Sequence, residues 1–170
     1  GGQEREVTVL FLDIRGFTTL SEKLSPTQVV EFLNRLLGVC TRDIVAQGGT
    51  IDKYIGDALM AFWNAPVDTP RHEYKACLAC LSIRDSLQKL NDEDAFGLRE
   101  SLGPVSIGVG LNTGLACVGN MGSQDQFNYY VIGDVVNTAS RLESMTKGYA
   151  FDVFVADVVA AAAPELAFLE

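Results

Sequence analysis

Apolar and polar positions in this chain follow two periods in turn, and the changes of period divide it into strands and helices. An apolar run over residues 7–12 reads as a strand that ends in Asp13, after which Gly16 lets the backbone turn. Ser25-Pro26 has the form of a cap followed by proline at the first helical position. Beyond it Val29, Leu33, Leu36, Cys40 and Ile44 recur at helical spacing until Gly48-Gly49. Two β-like runs, residues 50–55 and 58–63, are separated only by Gly56-Asp57, which predicts a hairpin with Asp57 at its tip. A loop holding Pro66 and Pro70 leads to a second long helix over residues 73–90, and a polar connector fills residues 91–104. Strands are predicted at 105–111, 115–118 and 127–132, the first two separated by Asn112-Thr113-Gly114. Gly133-Asp134 opens a helix that runs to Met145; residues 151–155 read as a strand and 156–163 as a short helix.

The order β, α, β, β, α, β, with further strands and helices after it, predicts the α+β class. The expected form is a ferredoxin-like βαββαβ core with a mainly antiparallel sheet and helices on one face. A doubly wound parallel sheet fits less well, because the hairpin between the two long helices is antiparallel. At 170 residues the chain is expected to be a single domain, residues 1–170, with room for a sizeable core.

Charge narrows the partners. With 22 acidic against 13 basic residues the formal charge is −9, so a nucleic-acid surface, which needs a basic stripe, is not expected. No run approaches the roughly 18 apolar residues of a spanning helix, so no direct membrane contact is expected from this domain. Four cysteines lie within apolar stretches, without the density of a disulfide framework, which predicts a reducing, cytoplasmic setting. Cys77 and Cys80 have C-x-x-C spacing but lie mid-helix with no second pair and one histidine in the chain. They are expected in the core rather than on a metal, and His72 is expected to be solvated.

The chemistry is carried by Asp13 and Asp57, one at a strand end and one at a hairpin tip. If the two elements are neighbours the carboxylates converge, and such oxygen ligands suit Mg²⁺ or Mn²⁺ bridging to phosphates. Amides of Gly16, Phe17 and Thr18 can point at an anion, so a nucleotide polyphosphate is the natural partner. On the helix after Gly133, Val135, Ala139 and Leu142 share one face while Asn137 and Arg141 share another. A neutral donor beside a fixed cation could hold a ribose oxygen and a developing phosphoryl charge; the alternative is a surface arginine pairing with Glu143 or Asp134.

Four motifs stand in register. They are Phe11-x-Asp13-Ile14-x-Gly16-Phe17-Thr18, Lys53-x-x-Gly56-Asp57, Gly108-Val-Gly110-x-x-Thr-Gly114 and Ile132-Gly133-Asp134-x-Val136-Asn137-x-Ala139-Ser140-Arg141. From residue 7 to about residue 156 the chain resembles the catalytic domain of class III nucleotidyl cyclases, most closely bacterial adenylyl cyclases. The resemblance implies conversion of ATP to 3′,5′-cyclic AMP and pyrophosphate with two Mg²⁺ or Mn²⁺ ions per active site. It puts Asp13, Asp57 and the carbonyl of Ile14 on the metals, and the amides of Gly16 to Thr18 on the outer phosphates. Lys53 and Tyr130 match the base-reading positions, Asn137 the residue that orients the ribose, and Arg141 the one that stabilises the transition state. It further implies a head-to-tail homodimer with shared sites, contacted by an arm over residues 115–126 whose Gly119 and Gly122 read equally as turn residues.

Two departures qualify the resemblance. Adenylyl cyclases of this family commonly carry Asp or Thr where Tyr130 stands, seven positions before Asn137, and guanylyl cyclases pair Glu with Cys at the two base-reading positions. Lys53 favours adenine, since an ammonium donates to its ring N1 but faces a protonated N1 on guanine. Family domains also continue through two strands bearing a phosphate-binding lysine, for which Lys147 comes too early. The chain is therefore expected to be excised from a larger protein, with its own sensor or membrane segment, and to lack its last strands. A guanylyl cyclase is the same-class alternative, and a non-catalytic cyclase-like module that dimerises or binds nucleotide is the other. The retained metal and transition-state residues argue against the latter, and the absence of a Gly-Gly-(Asp/Glu)-Glu-Phe hairpin sets aside a diguanylate cyclase.

Overall fold

A computed structural model describes residues 2–122, 128–146 and 152–168. Strand β1 (Gly2–Ile14) leads into a short helix α1 (Phe17–Glu22) and then the long helix α2 (Pro26–Ala46). The start of α2 is a reciprocal cap: Ser25 Oγ accepts from the Gln28 amide at 3.2 Å, and the Ser25 amide donates to Gln28 Oε1 at 2.9 Å. The hairpin β2 (Thr50–Ile55) and β3 (Ala58–Trp63) follows, then helix α3 (His72–Asp92) and a one-turn helix α4 (Arg99–Leu102). Strands β4 (Ile107–Met121) and β5 (Asn128–Ile132), helix α5 (Asp134–Met145), strand β6 (Asp152–Val155) and helix α6 (Asp157–Ala162) complete the chain.

The sheet order is β2-β3-β1-β4-β5, with β6 parallel to β4 beside Gly108 to Leu111. Its first four strands are antiparallel and have the expected ferredoxin-like order. Alternation along β1 sends Leu10, Leu12 and Ile14 to one core, with Phe32, Leu36 and Ile44 of α2 and Ile83 and Leu87 of α3. It sends Val7 and Val9 to a second core, with Met60, Phe62, Val118, Val131 and the inner face of α5, Val135 and Ala139. Helices therefore cover both faces of the sheet rather than the one expected. Among the described residues no helix is long and apolar enough to cross a membrane.

Three further expectations are corrected. Asn112-Thr113-Gly114 does not break a strand: β4 pairs with β1 along all 13 residues of the latter. Both polar side chains are buried and satisfied, Asn112 Nδ2 donating to the Val135 carbonyl at 3.3 Å and Thr113 Oγ1 sharing a 2.6 Å hydrogen bond with Thr8 Oγ1. His72 is buried, not solvated, because Thr8 Oγ1 lies 2.6 Å from its Nδ1. Cys117 is exposed, whereas Cys40, Cys77 and Cys80 are core residues as expected. Burial, with Asp43 nearby, pushes the Cys40 thiol up to about 12; burial, with Glu73 nearby, takes Cys77 to about 11. Residues 123–127, Lys147 and Phe151 lie outside the described residues.

The seat of α5 depends on small residues of β4. A Cβ at Gly110 would run into the backbone of Ala139 and Glu143, and one at Gly114 would lie 3.4 Å from Val135 Cβ. Gly110→Ala is expected to lower stability by about 1–3 kcal/mol through overpacking. A lower urea midpoint at unchanged slope would show it.

Candidate active site

Asp13 lies opposite Ala58 in the β1–β3 ladder. Asp57 immediately precedes Ala58 in the two-residue turn that joins Ile55 to its partner. The turn needs φ of 59° at Gly56, a conformation that L side chains resist. Both carboxylates therefore spring from one end of two neighbouring strands, the condition that the sequence set for their convergence. Among the described residues Asp13 Oδ1 is buried without a hydrogen-bond partner.

A carboxylate oxygen removed from water with no donor is costly, and a hard cation relieves that cost. The donors at this end, two carboxylates and the Ile14 carbonyl, are all oxygen, as Mg²⁺ and Mn²⁺ prefer, so the residues present fit such an ion. Gly16 follows at φ 60° and caps α1 without any side-chain hydrogen bond. The amides of Phe17 and Thr18 thus begin a helix, where backbone N–H groups have no intrahelical partner.

Lys53 pairs with Met60 after a bulge at Asp52, which sets it on the face shared by Met60, Phe11 and Asp13. Its side chain is 57% exposed, with Nζ 3.4 Å from Asp52. Asn137 and Arg141 are exposed on α5, because Val135, Ala139 and Glu143 are the residues that it buries. Arg141 makes no ion pair among the described residues, so the surface pairing with Glu143 or Asp134 is not what is found.

Tyr130 is not brought to Lys53. Tyr129 and Val131 turn towards the second core, where Tyr129 stacks on Phe62 with ring centroids 5.8 Å apart. Strand alternation sends Tyr130 to the other face, against Cys117 and the backbone of Gly2. Desolvation first, then the hydrogen bond with Cys117, raises the phenol above its ordinary range.

Sequence reasoning missed the support beneath α5. Arg15 donates to Thr146 Oγ1, and Thr146 Oγ1 donates to the Glu143 carbonyl at 2.6 Å. The end of α5 is thereby fastened two residues beyond Asp13, while Asn112 fastens its beginning through Val135. The available signal was Gly108, since a Cβ there would strike both Arg15 and Thr146.

The family model for the adenylate and guanylate cyclase catalytic domain matches residues 2–162. Adenylate cyclase 1 of Rhizobium meliloti (strain 1021) is 39% identical over 158 residues, which is 92% of this chain and 23% of that protein. The chain thus spans less than a quarter of the length of that relative. The crystal structure of the adenylyl cyclase CyaB from P. aeruginosa is 32% identical with a TM-score of 0.87, covering 98% of this chain and 84% of that one. The guanylyl cyclase Cya2 is 35% identical with a TM-score of 0.83, covering 96% and 80%. With Asp13 near a strand end, Asp57 in the adjoining turn and its α5 polar pair facing outward, this chain belongs to the family of adenylate and guanylate cyclase catalytic domains.

Proposed function

We propose that the chain is the catalytic domain of an adenylyl cyclase. It converts ATP to 3′,5′-cyclic AMP and pyrophosphate at sites shared between two copies, as one domain of a longer protein. The observation that carries this reading is the buried, unpartnered Oδ1 of Asp13 beside the turn that presents Asp57, in a chain whose Asn137 and Arg141 face away from its own sheet.

Asp13, Asp57 and the Ile14 carbonyl would hold the divalent cations. When bound, two Mg²⁺ or Mn²⁺ ions supply Lewis-acid activation of the ribose 3′-hydroxyl and neutralise the triphosphate. The amides of Gly16, Phe17 and Thr18 bind outer phosphate oxygens. From the second copy, Lys53 donates to adenine N1, Asn137 holds the ribose so that its 3′-oxygen lies in line with the α-phosphorus, and Arg141 faces the charge that grows there. The 3′-oxygen bonds to the α-phosphorus as the bond to pyrophosphate breaks, and the hydroxyl proton leaves to solvent. Similarity to Cya2, together with Tyr130 in place of Asp or Thr, favours a second reading with GTP as substrate. Residue 130 then reads the base only if the second copy rearranges it.

Cyclic nucleotide formation from ATP and GTP, measured over a range of protein concentrations, tests the proposal. Cyclic AMP with specific activity rising with concentration is expected; predominant cyclic GMP selects the second reading. Arg141→Ala should lower kcat about 10²–10³-fold with the fold intact. Lys53→Glu should reduce kcat/KM for ATP at least about tenfold and raise the GTP to ATP ratio. A readout without turnover concerns Asp13. In chelator, Asp13→Asn should be about 0.5–2 kcal/mol more stable than the parent chain, since a buried unpartnered charge is removed. Mn²⁺ should raise the melting temperature of the parent and not of the variant; equal shifts would remove Asp13 from the metal site.

A further inference from the structure

A second group of ligating side chains lies elsewhere on β1. Glu6 is followed along the strand by Asp13 seven residues later, about 23 Å at strand rise, and the two point to opposite faces. His72, at the start of α3, is buried, with its side chain 8% exposed. Its Nδ1 shares a 2.6 Å hydrogen bond with Thr8 Oγ1, which shares another of 2.6 Å with Thr113 Oγ1. Those buried hydroxyls set the ring and aim Nε2 at two carboxylates, Glu6 Oε1 at 3.3 Å and Glu73 Oε1 at 3.4 Å. One ligand atom from each of the three residues lies within 4.8 Å of the others.

We propose that Glu6, His72 and Glu73 form a Zn²⁺ site separate from the cations assigned to Asp13 and Asp57. Spacing is the first argument. Two bonds of about 2.0–2.1 Å meeting at a tetrahedral angle hold their donor atoms about 3.4 Å apart, whereas adjacent donors in an octahedral Mg²⁺ shell are about 2.9 Å apart. The nitrogen-to-oxygen distances here have the tetrahedral value. Donor type is the second: imidazole with carboxylates suits zinc, while Mg²⁺ takes oxygen.

Charge is the third argument. Two carboxylates converge on one imidazole, and the neighbouring arginines are engaged elsewhere, Arg5 with Asp68 and Arg71 with Glu165. Among the described residues neither Glu6 nor Glu73 pairs with a lysine or arginine, so the cluster has no permanent cation of its own. Glu6 is 56% exposed and Glu73 14%, which leaves an entry path and a fourth position for water. The hydroxyl on Nδ1 supplies the outer support that metal-bound imidazoles need. Zinc here ties the first half of β1 to the start of α3.

The test uses the chain carrying Asp13→Asn and Asp57→Asn together, so that the other oxygen site cannot contribute. Calorimetric titration of the metal-free protein with Zn²⁺ is expected to give one ion per chain, and Co²⁺ is expected to give the visible absorption of a tetrahedral site. Glu6→Gln and Glu73→Gln, each added to that background, should weaken Zn²⁺ binding at least about tenfold and remove the Co²⁺ bands. Glu6 is exposed, so its variant keeps the fold, which far-ultraviolet circular dichroism checks. Absence of stoichiometric Zn²⁺ binding to the doubly substituted protein, or binding indifferent to both glutamine substitutions, would overturn the proposal. Because neither carboxylate of the nucleotide site is present, the outcome is independent of the cyclase reading.

Discussion

The seating of α5 on β4 is the constraint on which the rest of the structure depends. Side chains normally hold a helix off a sheet, but here the strand presents Gly108, Gly110, Asn112 and Gly114 to the helix. Backbone meets backbone at Ala139 and Glu143, and the contact fixes the rotation of α5 as well as its distance. Hydrogen bonds at both ends, Asn112 to the Val135 carbonyl and Arg15 to Thr146, remove the remaining freedom to slide. The direction of the polar face of the helix, with Asn137 and Arg141 exposed, is thereby set by the seating of the opposite face.

The carboxylate end of the sheet works in the opposite sense. The cross-strand neighbours of Asp13, Ala58 and Gly108, offer no side-chain donor, and among the described residues none reaches its Oδ1. Natural cores avoid such an arrangement unless a ligand completes it, and proteins carry this kind of local cost at working sites. Stability comes instead from the two cores that sandwich β1, whose Val7, Val9, Leu10 and Leu12 are fully buried. The strand buried between both cores therefore carries, one residue before its end, a carboxylate oxygen with no hydrogen-bond partner among the described residues.

Long periodic elements were legible in the sequence because their signals are local. The capped helix from Pro26, the hairpin around Gly56-Asp57 and the helix from Asp134 all appear where spacing and turn chemistry place them. What was not legible depends on partners distant in sequence. Asn112 and Thr113 look like turn residues, yet a helix carbonyl and Thr8 on another strand satisfy them inside a continuous β4. His72 looks solvated until Thr8 and two glutamates surround it. Tyr130 matches a base-reading position by alignment, but period-two alternation gives the inward direction to Tyr129. Asp13 and Asp57 could be placed at one end of the sheet from sequence because one strand register and one tight turn decide it; the fastening of α5 by Arg15 could not.

The outward face of α5 also supports a shared site on energetic grounds. Turning Arg141 towards the sheet of its own chain would require a rotation that lifts Val135 and Ala139 out of the second core and buries a guanidinium among Val7, Val9 and Phe62. An unpaired charge in such surroundings costs several kcal/mol, far more than a modest change in crossing angle recovers. The glycine strip that brings α5 close thus also keeps Asn137 and Arg141 away from the interior of their own chain. In the proposed reading the triphosphate must meet those residues from outside, and a second copy presents its carboxylate end there at no cost to either core. In that reading a dimer would follow from how one helix is seated, and activity should follow the contact between copies more closely than any motion within one of them.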